Sequence, residues 1–100
     1  MGCDIETFIK HINRKMNYFN EYIASDNVMT FDNIHIDHIK PVSKFDLDHE
    51  EEFIDCCNYT NLQPLLIKDN LEKSNRWNDA NEMFWKENII NKEYNEIYLL

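Results

Sequence analysis

The sequence predicts an α+β fold in which helices flank a pair of short strands, and three observations carry that reading. Ile5, Phe8, Ile9, Ile12 and Met16 recur at steps of three and four, the spacing that lines one face of a helix. Ile34, Ile36 and Ile39 sit among polar residues near a period of two until Pro41 removes a backbone donor, and Thr60 to Leu66 reads as the partner strand. Met83, Phe84, Ile89 and Ile90, with Trp85 nearby, return to helical spacing near the C-terminus.

Taken in order, the N-terminal helix covers about residues 4–17, with Asp4 as its N-cap. Across the Asn-rich stretch that follows, Tyr18, Phe19, Tyr22 and Ile23 either continue a short helix or line a packed loop. The first strand ends near His38. Asp48 with Glu51 three residues on has the form of a capping box, and Phe53, Ile54 and Cys57 supply the buried side of the short helix it would open. Asp69 and Glu72 form a second such pair, although a start at Ile67 is equally compatible, and this helix runs to about Arg76. A C-terminal helix covers about residues 79–92. One hundred residues support a single domain with one modest core.

Composition narrows the function. The 43% hydrophobic and 13% aromatic content belongs to a folded chain rather than a disordered tail. No apolar run approaches the ~20 residues of a membrane span, and Met1-Gly2-Cys3-Asp4 lacks the layout of a secretory signal, so an intracellular, soluble protein is expected. Cys3, Cys56 and Cys57 are odd in number and lack C-x-x-C spacing. They are read as buried free thiols, with neither a disulfide framework nor a structural zinc. The net charge of −9 has the wrong sign for gripping phosphates. The basic surface is therefore expected to be local, or the DNA-gripping part to belong to a protein partner, a second copy or a longer parent chain.

Several features receive plain readings. The cluster Asp46, Asp48, Glu50, Glu51, Glu52 and Asp55 lacks the alternating ligand spacing of a calcium loop and reads as a solvated helix face. Trp77, Phe84 and Trp85 read as core rather than as stacking platforms. His11 and His49 match no motif and are taken as surface residues.

The informative segments are His35-Ile36-Asp37-His38-Ile39-Lys40-Pro41, Asn58-Tyr59-Thr60-Asn61-Leu62-Gln63-Pro64-Leu65 and Lys68-Asp69-Asn70-Leu71-Glu72-Lys73-Ser74. In this order, over about residues 31–77, they resemble the HNH endonuclease family. The flanking pieces look like its phage-type, giant-virus-type or intron-borne members. The resemblance implies a ββα-metal motif, two antiparallel strands and a helix around one divalent ion, within a single nuclease domain that hydrolyses DNA.

Hydrolysis of a phosphodiester needs a deprotonated water and positive charge to offset the breaking bond. An imidazole, with an unperturbed pKa of ~6.5, accepts a proton at neutral pH. The resemblance gives that role to His38 and makes Asp37 and Asn70 the ligands of Mg2+, for which Mn2+ substitutes. Asn70 stands where the family often has histidine, and its amide oxygen suits a hard cation rather than zinc. The middle motif position falls on Asn61, which the resemblance places in the catalytic set, expected to orient the histidine rather than move a proton. Lys73 lies one helical step beyond Asn70, and His35 shares the strand face of Asp37. Both are expected to bind substrate phosphate. Neighbours in a strand point to opposite faces, so Asp37 and His38 are expected to converge only through a break near the strand end. Two other readings are a catalytically silent module engaging a protein partner through its acidic surface, and an acidic mimic of nucleic acid.

Overall fold

The computed structural model describes residues 2–90, and its class is α+β, helices around a two-stranded antiparallel hairpin. The elements are α1 (Ile5–Tyr22), β1 (Ile34–His38), α2 (Glu50–Cys57), β2 (Leu62–Leu66), α3 (Ile67–Lys73) and α4 (Asp79–Trp85). A 3-10 turn at Val42–Lys44 precedes α2, another at Tyr59–Asn61 leads into β2, and a π turn at Lys86–Ile90 follows α4.

α1 opens as its sequence dictates, with the Asp4 carboxylate accepting from the Thr7 N–H at 2.8 Å. It continues past residue 17 to Tyr22 because Phe19 extends the inward stripe of Phe8, Ile12 and Met16. Asn20 then ties down the following loop. Its side-chain oxygen accepts from Met29 N at 2.7 Å and its amide donates to Met29 O at 3.0 Å, as a paired strand would. Ile5 and Ile9, expected on the buried stripe, are exposed, while Phe8, Ile12 and Met16 turn towards the core.

The strands pair in register from Ile34↔Leu66 to His38↔Leu62. Pro64, opposite Ile36, lacks an N–H, which is tolerated where β2 forms an edge. Two small cores brace the hairpin. Ile12, Met16 and Met29 close on Ile34 and Leu66 at one end, while Phe45, Cys56 and Trp85 gather Ile39, Trp77 and Ile89 at the other.

Five further expectations need correction. His11 is not a surface residue but 1% exposed, one helical step from Phe8, with its Nε2–H donating to Leu62 O at 2.7 Å. No Asp48–Glu51 box forms. His49 occupies the N-cap of α2 without a side-chain bond, and Asp48 N instead donates to the Asp46 carboxylate at 3.1 Å. The inward residue of α2 is Cys56, while Phe53, Ile54 and Cys57 face solvent, because only one residue of so short a helix meets Phe45 and Trp85. At the C-terminal end Trp85 is buried, and Met83 and Phe84 are exposed. The three cysteines are free, but only Cys56 is buried as expected; Cys3 is half-buried and Cys57 exposed.

α3 starts at Ile67, directly after β2, and stops at Lys73, short of Arg76. α4 begins at Asp79 with a reciprocal box between Asn78 and Asn81. Residues 91–92 of the expected C-terminal helix lie outside the described residues. No helix among the described residues is long and apolar enough to cross a membrane.

Candidate functional site

The absence of any linking residue between β2 and α3 decides where the motif side chains go. The chain leaves Leu66 into a helix that packs back on the hairpin, contacting both strands. On β1, His35 and Asp37 are two residues apart and share a face, and Gln63 stands opposite Asp37. On α3, Asn70 and Lys73 are three apart and lie over that face. Lys73 Nζ is 2.9 Å from Asp37 Oδ2 and donates to His38 O at 2.8 Å. Gln63 Nε2 donates to the same Asp37 oxygen at 2.9 Å. Asn70 Nδ2 lies 2.9 Å from His35 Nδ1, and with the amide donating, the ring accepts there and carries its proton on Nε2.

His35, Asp37, Asn70 and Lys73 are thus brought together. The Asp37 side chain keeps only 11% of its exposure and that of Lys73 23%, so the ammonium neutralises a carboxylate that water reaches poorly.

His38 is the last residue of β1. Its ring is half-buried, and no group among the described residues hydrogen-bonds it. The break expected between Asp37 and His38 does not occur. Regular pairing of Asp37 with Gln63 and His38 with Leu62 sends the two side chains to opposite faces. The strand ends one residue later, where Ile39 N donates to Asn61 O at 2.7 Å.

Asn61 is fully buried. Its Oδ1 accepts from Lys40 N and from Trp85 Nε1, each at 2.9 Å, and its Nδ2 donates to Lys40 O and Cys56 O, each at 3.3 Å. One amide therefore holds the end of β1, the end of α2 and α4 together, two residues beyond His38. It reaches the histidine only through the backbone, as a positioning residue.

Sequence reasoning missed the group behind Asn61. Lys40 is 8% exposed, with Nζ 2.8 Å from Glu82 Oε1, 4.6 Å from the Phe45 ring centroid and 4.7 Å from that of Trp85. Trp77 Nε1 donates to Glu82 Oε1 at 3.0 Å. Burial alone would raise the Glu82 carboxyl. Hydrogen bonds from Lys40 and Trp77, with the charges of Lys40 and Lys86, outweigh it and hold the group below its ordinary value. A lysine between Ile39 and Pro41 carries no local signal that it will turn inward, so this network was not legible.

The metal question turns on donor chemistry. Among the described residues no three His, Cys, Asp or Glu side chains form a metal-holding group. Magnesium needs no such cluster, because it keeps several waters and takes one or two protein oxygens. Asp37 and Asn70 supply one carboxylate and one amide oxygen, and a positive charge already sits at Asp37 in the form of the Lys73 ammonium. The residues fit a hard divalent cation in kind.

Comparison with known proteins finds relatives whose names state no activity. The chain is 37% identical over 65 residues to the uncharacterized protein L426 of Acanthamoeba polyphaga mimivirus, and 35% identical over 69 residues to the uncharacterized protein L246 of the same virus. Each match covers 65% of this chain and 26% of the relative, so the chain spans about a quarter of the length of the curated relatives it matches. No protein-family model matches it, and no solved structure matches it.

Proposed function

We propose that this chain is a metal-dependent endonuclease of the HNH, ββα-metal kind, cutting DNA by hydrolysis. The observation that carries this reading is the direct β2-to-α3 junction, which sets Asn70 and Lys73 against His35 and Asp37. In the proposed reaction a water oxygen attacks phosphorus and the bond to the 3′ oxygen breaks, leaving a 5′-phosphate and a 3′ oxygen that takes a proton from solvent to become the 3′-hydroxyl.

His38 takes the proton from the attacking water, a role for which its half-exposed ring, with no hydrogen bond from the described residues, suits it. Since Asp37 and His38 leave opposite faces, the phosphate sits over the end of β1 rather than on either face. Asp37 and Asn70 hold magnesium or manganese, which when bound supplies positive charge at the phosphate as the bond breaks. Lys73, which pairs with Asp37 and donates to the His38 carbonyl, turns to that phosphate when it binds, and His35 binds it beside Asn70. Asn61 keeps the strand end in place.

The test is conversion of supercoiled plasmid to nicked circles in low salt, with magnesium, manganese or EDTA. Nicking that requires the metal and falls by at least about 100-fold in Asp37→Asn is expected. Metal-independent cutting, or none by a folded protein, would contradict it. The acidic, exposed first turn of α2 motivates the second reading, a silent module bound to a basic partner protein. That reading predicts partner binding indifferent to Asp37→Asn.

A further inference from the structure

The −9 chain must still hold a polyanion if it cuts one, and the structure assigns a place for it. Beside the outer edge of β2, between that strand and α1, runs a groove of ≈ 500 Å³ whose charged lining residues are Arg14 and Lys15, with no carboxylate. Met29, Pro64 and Leu65 line it with apolar surface, and Tyr18 stands at its side with 60% of its surface exposed. The volume lies in the range of sites that enclose one small molecule. The neighbouring cavity of ≈ 590 Å³ makes the contrast. Asp26, Asp32 and Asp69 line it against a single Lys68, so it repels phosphate.

Gln63 connects the groove to the site, since it lines the one and donates to Asp37 Oδ2 in the other. We propose that this groove takes a nucleotide of the strand being cut, next to the scissile phosphate, with its phosphate on Arg14 and Lys15 and its base against Tyr18. The substrate class rests on the nuclease reading; the groove itself rests on charge and shape. Burial lowers the Lys15 ammonium from its ordinary 10.5, so an anion entering the groove meets a cation that water solvates poorly. Aromatic and cationic side chains together are the means by which unpaired strands are held without sequence preference.

The experiment is fluorescence anisotropy of a short fluorescein-labelled oligothymidylate in EDTA, so that no cutting intervenes. Wild-type protein should bind with strong salt dependence. Arg14→Ala should reduce the slope of log affinity against log salt by about 0.7, the value of one single-strand phosphate contact. Tyr18→Ala should weaken binding about tenfold through lost stacking. Both side chains are exposed on α1, so circular dichroism should show an intact fold, and Lys68→Ala, in the acidic cavity, should bind as wild type. Wild-type binding by both groove variants, or no binding by the parent protein, overturns the inference. Arg14-dependent binding by a protein that never nicks plasmid would sink the nuclease reading and leave the groove standing. Nicking by a protein whose binding ignores Arg14 would do the reverse.

Discussion

Two buried polar residues show how single side chains set the stability of this small domain. Burial holds the His11 imidazole down from 6.5 to about 4, outweighing the hydrogen bond to Leu62 O that favours the charged form, and the charge of Lys15 adds to the lowering. The folded state therefore prefers the neutral ring. Unfolded chains bind the proton first as pH falls, so stability is full above about 6.5 and declines down to about 4. At ~1.4 kcal/mol per unit the loss is on the order of 3 kcal/mol. Urea denaturation at neutral and acidic pH measures it, and His11→Leu should flatten the decline in that window; an unchanged slope would remove His11 as its cause. Asn61→Ala leaves the Lys40 N–H and O, the Cys56 O and the Trp85 Nε1–H without their partner, and should cost about 3 kcal/mol or more in the same assay. A change under about 1 kcal/mol would mean that the amide is not the tie it is drawn as.

The elements differ in how openly their sequence declares them. The start of α1 was legible because Asp4 is a local cap, and the end of β1 because Pro41 cannot continue a ladder. The stripe on α1 was legible in outline, yet which of its residues meet the hairpin depends on docking, which left Ile5 outside and took His11 in. The face of α2 was not legible. Eight residues give two turns, and adjacent Phe53, Ile54, Cys56 and Cys57 allow several apolar faces, of which packing on Phe45 and Trp85 selects Cys56. For α3, local chemistry offered Asp69 as a cap, but the ladder runs through Leu66 and the helix begins at once. It ends on Ser74 at φ 51°, a left-handed conformation that suits glycine. Ser74→Gly should therefore stabilise the domain by about 1 kcal/mol in thermal or urea unfolding, and destabilisation would show that the side chain makes a contact worth more than the strain.

For the whole molecule, the motif residues were visible as three short blocks in order, and the chain does bring His35, Asp37, Asn70 and Lys73 to one face of a hairpin capped by a helix. What the blocks did not reveal is that Asp37 and His38 lie on opposite faces of an unbroken strand, or that Lys40, Glu82 and Trp85 brace the strand end from behind. Both are tertiary facts, fixed by register and by packing of the C-terminal segment. They make the end of β1, rather than either face of the sheet, the place where the proposed chemistry must occur. The most direct measurement is the rate of magnesium-dependent plasmid nicking by wild type and by His38→Ala, with urea unfolding to show that both are equally folded. If His38 is the general base, the rate is at least about 100-fold lower in the variant at unchanged stability. Equal nicking rates in the two proteins would contradict it.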